Sequence, residues 1–191
     1  MCVLSMIKCV FKLTNFIPKY AYYSIFDIPY EKLFEEGKRM IFIDIDNTIV
    51  GYDTIYPPKE VNELINHIKK IGFNIMIISN NSKKRAKIVA DSLGVDFVYR
   101  AFKPSKCGFK KAIKKSKSNK NEIISIGDQL LTDIWGSSRV GIDSILVHII
   151  KKSTEKWYTK INRRIENKII NKIKVKYYDD YQKIVDVRGT E

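Results

Sequence analysis

Met40-Ile41-Phe42-Ile43-Asp44-Ile45-Asp46 (MIFIDID) is a short apolar run that ends in two carboxylates, followed at once by Asn47-Thr48. A run of this length reads as a strand buried on both faces, which is the habit of parallel sheets. Working outward, Val61, Leu64, Ile65, Ile68 and Ile71 recur at helical spacing after Pro57-Pro58, and Gly72 supplies the stop. Phe73–Ser79 (FNIMIIS) reads as a second buried strand. Ser82–Leu93 reads as a helix with Ala86, Val89, Ala90 and Leu93 inward and Gly94 closing it. A short strand Asp96–Tyr99, a basic helix Ser105–Ser116, a strand Glu122–Ile126, a helix Leu131–Arg139 and a strand Asp143–His148 follow. Strands alternating with helices imply βαβ units, and so a three-layer αβα sandwich around a central parallel sheet. The core spans residues 40–150. Residues 1–39 read as an irregular, partly helical lead-in packing on it, and residues 151–191 as a basic C-terminal helix and tail.

In such sheets ligands bind beyond the carboxyl ends of the strands. The polar residues sit there: Asp44 and Asp46 after the first strand, Ser79 and Asn80 after the second, Asp128 after the strand ending at Ile126. Hydrolysis of a phosphate ester needs a nucleophile, a proton donor for the leaving alkoxide, a cation, and donors to the equatorial oxygens. Asp44 and Asp46 can supply the first two. Carboxylates this close repel each other unless a divalent cation lies between them. Asp128 and Asp133, in GDQLLTD (Gly127–Asp133), add oxygen ligands of the kind Mg²⁺ takes. Lys103, in Phe102-Lys103-Pro104, can neutralise phosphate charge, and Ser79 with Asn80 offers hydroxyl and amide donors.

DIDNT, the SNN at a strand end, the lone FKP lysine and GDQLLTD, in this order and spacing, resemble the four motifs of haloacid dehalogenase-like phosphatases. That resemblance implies Asp44 as nucleophile and Asp46 as general acid, then base. It implies Thr48 steadying the loop, and Ser79 and Lys103 on the phosphoryl oxygens. Mg²⁺ would be held by Asp44, the backbone carbonyl of Asp46 and Asp128, with Asp133 supporting. SIFDI (Ser24–Ile28), GDQLLTDIWGSSRVG (Gly127–Gly141) and the segment Trp157–Glu166 with Asn162-Arg163-Arg164 are similar to the YqeG branch, subfamily IIIA. That branch is similar in turn to the phosphatidylglycerophosphate phosphatases of mitochondria and plastids. The likeness runs from about Phe16 to about Glu166, without departure at the motif positions.

Only about a dozen residues separate Thr48 from the next helix, and 23 lie between Ser79 and Lys103. Neither gap holds a cap domain, so the site is expected to be open to large substrates. The formal net charge of +14 favours anionic partners without choosing among lipid, nucleic acid and phosphorylated small molecules. Lys151 to Lys176 carries ten Lys or Arg against Glu155 and Glu166. Trp157, Ile161, Ile165, Ile169 and Ile173 recur every fourth residue there, with Lys160, Arg164, Lys168 and Lys172 alongside. This is a basic amphipathic helix, suited either to pack on the sheet or to meet an anionic membrane.

Three cysteines (Cys2, Cys9 and Cys107) without metal-ligand spacing argue against a disulfide framework and for a reducing cytoplasm, with Cys107 a neutral thiol. The mildly apolar start, Met1 to Leu13, is interrupted by Lys8 and Lys12, and no run reaches the roughly 18 apolar residues of a spanning helix. His67 and His148 have no partner at ligand spacing and read as structural; the lysines of Ser105–Ser116 read as a solvated face. The expected activity is dephosphorylation of phosphatidylglycerophosphate at the inner face of the cytoplasmic membrane. The rivals are the same chemistry on a nucleic-acid end, phosphosugar or phosphoprotein, and a basic RNA- or ribosome-associated factor.

Overall fold

In the computed structural model, which describes residues 12–188, the MIFI run is a central strand of a six-stranded sheet, all of whose pairings are parallel. The strands are β1 (Tyr20–Tyr22), β2 (Met40–Ile43), β3 (Asn74–Ile78), β4 (Asp96–Val98), β5 (Ile123–Gly127) and β6 (Asp143–Val147), in the order β1-β6-β5-β2-β3-β4. The helices are α1 (Tyr30–Glu35), α2 (Lys59–Ile71), α3 (Lys83–Leu93), α4 (Lys106–Ser116), α5 (Trp135–Ser138), α6 (Trp157–Lys176) and α7 (Tyr178–Arg188). Alternate side chains of β2 point to opposite faces. Ile41 and Ile43 join Leu33, Ile65 and Val89 of α1, α2 and α3 on one side; Met40 and Phe42 join Phe109 and Ala112 of α4 on the other. A third cluster, on the side of α5, α6 and α7, gathers Phe16, Leu130, Ile134, Trp135, Ile170, Ile173 and Ile184. This is the three-layer sandwich expected, and among the described residues none forms a cap domain.

The helix ends follow the local chemistry. The Ser82 hydroxyl accepts from Arg85 N at the start of α3, and left-handed Gly72 and Gly94 close α2 and α3.

Three expectations need correction. The lead-in is not merely irregular: Tyr20–Tyr22 pairs with β6 and forms one edge of the sheet. Leu131–Arg139 is not one helix but a single π-helical turn, Leu130–Ile134, followed by α5. The C-terminal apolar stripe is not one face. At 3.6 residues per turn, a step of four overshoots a full turn by about 40°, so four steps rotate Trp157 away from Ile173 by about 160°. Trp157 is accordingly 73 % exposed and Ile173 fully buried, with Ile161 and Ile165 also exposed.

The first eleven residues, with Cys2 and Cys9, lie outside the described residues; among those described, no helix is long and apolar enough to cross a membrane. His67 contacts Glu31, while His148 stacks on Tyr23 and bonds to the Val187 carbonyl, so both histidines are engaged away from the strand-end acids.

Candidate active site

β2 and β5 are neighbours in register, Ile43 opposite Ile126, and the Asp44 N–H donates to the Ile126 carbonyl at 3.0 Å. Asp44 and Asp128 therefore leave the same edge of the sheet side by side. The π-helical turn brings Asp133 back over them, its carboxylate accepting from Gln129 N–H (3.2 Å) and the Thr132 hydroxyl (3.1 Å). Gly127 makes this return possible: a Cβ there would lie 2.3 Å from Asp133 Cγ. One carboxylate oxygen each from Asp44, Asp128 and Asp133 falls within 4.8 Å of the others, and all three residues are buried. Lys103 Nζ donates to Asp44 Oδ1 and Asp133 Oδ1, both at 2.6 Å. Three far-separated stretches thus meet in one cluster at the sheet's rim.

The remaining candidates divide. Ser79 is buried beneath a cavity of about 360 Å³ that also exposes Asp44, Asp46 and Lys103. Asn80 borders the cavity, but its side chain clamps the Lys103 backbone, accepting from its N–H at 2.7 Å and donating to its carbonyl at 3.1 Å. Thr48, expected to steady the loop, has its hydroxyl donating to Asp128 Oδ1 at 3.3 Å and does not line the cavity. The Asp46 carboxylate stands apart from the other three acids. Arg85 Nε and Nη2 both reach its Oδ1, at 3.0 and 2.7 Å, and Asn81 Nδ2 donates to its Oδ2.

The electrostatics ask for a cation. Burial, reinforced by Asp133, Asp46 and Asp128 and opposed by Lys103, holds the Asp44 carboxyl well above the usual range. Burial pushes Asp128 up to about 6 against the pull of Arg163. For Lys103, burial works against the ammonium, but Asp133 and Asp44 outweigh it and keep it charged. Lys103 faces more carboxylate than it can offset. A hard divalent ion with oxygen ligands fits this donor set.

Several residues here escaped the motif reading. Tyr158, Thr159, Asn162 and Ile165 of α6 wall the cavity. In its first half the inward face of α6 is polar: Arg163 Nη1 donates to the Asp128 carbonyl at 2.8 Å and Nη2 to Asp128 Oδ2. The same guanidinium meets Glu155 and Glu166. Arg85 left no signal in the sequence, since one arginine among many basic residues is marked only by the fold. Arg163 lay within Asn162-Arg163-Arg164, but nothing in the spacing said which acid it would meet.

The parallel sheet and the buried acidic centre at its carboxyl edge place the chain among α/β proteins with the equipment for acid-based, cation-assisted hydrolysis. Residues 12–141 match the haloacid dehalogenase-like hydrolases, and the chain belongs to that family. It is 35 % identical over 161 residues to the probable phosphatase YqeG of Bacillus subtilis (strain 168), covering 84 % of this chain and 93 % of that protein. The cobalt-bound deoxy-D-mannose-octulosonate 8-phosphate phosphatase of Haemophilus influenzae shares the fold. The TM-score is 0.50 and the identity 12 %, over 73 % of this chain and 90 % of that one.

Proposed function

We propose that the chain is a Mg²⁺-dependent phosphomonoesterase that works through an aspartyl phosphate on Asp44. What carries this reading is the meeting of Asp44, Asp128, Asp133 and Lys103 in one buried cluster open to a cavity. An Asp44 oxygen attacks phosphorus, and the bond from phosphorus to the leaving alkoxide breaks. Asp46, turned from Arg85 and entering as the neutral acid, gives its proton to the alkoxide and is left as the carboxylate. It then takes a proton from the water that attacks the aspartyl phosphate, releasing inorganic phosphate and free Asp44. Lys103 and Ser79 hold the phosphoryl oxygens, and Asn80 fixes the Lys103 backbone. Mg²⁺ would rest on Asp44, the Asp46 carbonyl and Asp128, with Asp133 supporting; bound there, it supplies charge against the phosphoryl oxygens. Thr48 orients Asp128 instead of touching substrate.

The substrate on this reading is the lipid phosphomonoester phosphatidylglycerophosphate, converted to phosphatidylglycerol at the cytoplasmic membrane face. Support comes from α6. Its exposed Trp157, Ile161 and Ile165 lie among Lys160, Arg164 and Lys168, and Tyr158 and Ile165 are also cavity wall. An apolar strip flanked by lysines suits an anionic interface, where each basic residue contributes about 1 kcal/mol.

The test is phosphate release with Mg²⁺ from phosphatidylglycerophosphate in anionic vesicles, an RNA 3′-phosphate, a phosphosugar and a phosphopeptide. Wild type is expected to prefer the lipid, and Asp44→Asn to lose at least about 10³-fold. Faster turnover of the RNA end or the phosphosugar would refute the lipid assignment. Unchanged turnover in Asp44→Asn would refute the mechanism.

A further inference from the structure

We infer that Arg163 is a positioning residue for the cation site: α6 carries it to Asp128 and fixes which carboxylate oxygen faces the metal. The inference rests on the cation site proposed above but not on the identity of the substrate.

Asp128 is fully buried and has two oxygens to place. Arg163 Nη2 holds Oδ2, and Nη1 holds the backbone carbonyl of the same residue at 2.8 Å. The planar fork therefore grips Asp128 at two points from two nitrogens held at a fixed spacing, a geometry that the single nitrogen of a lysine does not reproduce. Oδ1, reached by the Thr48 hydroxyl at 3.3 Å, is left as the oxygen to offer a cation. A hard ion with a small, strict coordination shell is sensitive to such an arrangement.

Arg163 is itself held from three sides. Glu155 Oε1 accepts from Nε at 3.0 Å and Nη2 at 2.9 Å, and Glu166 Oε2 accepts from Nη1 at 3.2 Å. Arg188 of α7 closes the network, donating to Glu166 Oε2 at 2.6 Å and to the Asp128 carbonyl at 3.2 Å. Glu166 Oε1 also accepts from Leu131 N–H at 2.8 Å, inside the turn that carries Asp133. Asn47, in the loop between Asp46 and Thr48, donates to Glu155 Oε1 at 3.3 Å. The network therefore reaches both acidic stretches. An ionic group this thoroughly buried is costly for stability alone, because apolar residues of equal volume would serve as well. Its geometry is instead that of an outer shell about a ligand.

The test is Mg²⁺ binding by calorimetry to the full chain without substrate, for wild type, Arg163→Met and Arg163→Lys. Both variants are expected to bind Mg²⁺ at least about 10-fold more weakly, lysine being no rescue because its one nitrogen lacks the fixed fork that spans the Asp128 oxygen and carbonyl. A merely structural arginine would lower the melting temperature and leave the affinity of the folded protein unchanged. Affinity within twofold of wild type in either folded variant would overturn the inference.

Hydrogen exchange on wild type covers the case in which neither variant folds. Adding Mg²⁺ is expected to slow exchange in α6 around Arg163, and an unaltered α6 would overturn the inference. If wild type bound no Mg²⁺ at all, the proposed function would fall with it. If it bound Mg²⁺ without regard to Arg163, this inference alone would fall.

Discussion

Gly127 owes its identity to Asp133, whose carboxylate occupies the place where a side chain would begin. Gly127→Ala is expected to displace Asp133 from Lys103, costing about 1–3 kcal/mol of stability by overpacking and most of the turnover. Thermal melts and phosphate release would check the two effects together. Lys103→Met leaves Asp44 and Asp133 without their ammonium, and is expected to slow phosphate release by about 10²-fold or more while the fold persists. Asp44 and Asp128 were legible in the sequence because each follows a strand end, and Asp133 and Lys103 because each sits in a short motif at a set distance along the chain. Arg85 and Arg163 were not, because each is joined to its partner by tertiary packing across 39 and 35 positions of chain. Periodicity carries no record of such a pairing.

The longer elements were legible from hydrophobic spacing and apolar runs: α3 buries all four residues that spacing singled out, α2 buries Val61, Ile65 and Ile68, and β2, β3 and β5 are buried apolar runs. β1 was hidden, being three residues long and half-buried throughout, so it shows neither an apolar run nor alternation. In α6 the every-fourth spacing joined residues that the helix turns apart, and so the polar inward face was overlooked. Two substitutions separate the ends of this helix. Ile173→Ala, in the packed end, is expected to cost about 2–5 kcal/mol, read by urea denaturation. Trp157→Ser with Ile161→Ser, at the exposed end, is expected to change stability by less than about 1 kcal/mol. The same pair should reduce sedimentation with anionic vesicles; undiminished co-sedimentation would tell against contact through α6.

Across the whole molecule, acid is expected to loosen the periphery first. Burial raises Asp143, but Lys19 and Lys38 outweigh it and hold it below its ordinary value of 3.8. Burial likewise raises Glu166, which Arg188 and Arg163 bring below 4.5. A carboxyl depressed in the folded state stabilises fully above its unfolded value, and that stabilisation is lost as pH falls through the folded one. Asp128, raised to about 6, has the opposite sign, and its protonation relieves the metal-free centre. The metal-free chain is therefore expected to hold its melting temperature from about pH 7 to 5 and lose it below about 4, with β1 and α6–α7 exchanging first. Circular dichroism melts with a chelator, followed by hydrogen exchange, would show it.

The place of Arg163 late in the sequence also bears on synthesis. All the clustered acids and Lys103 leave the ribosome before the helix that grips Asp128 has been made. Until that helix docks, Asp128 lacks the guanidinium that grips it in the folded chain, and repulsion among the acids is expected to hold the half-made centre apart. Truncation before Trp157 should therefore yield a chain whose sheet is complete but whose acids cannot settle, a folding defect that magnesium in the translation mixture would partly relieve.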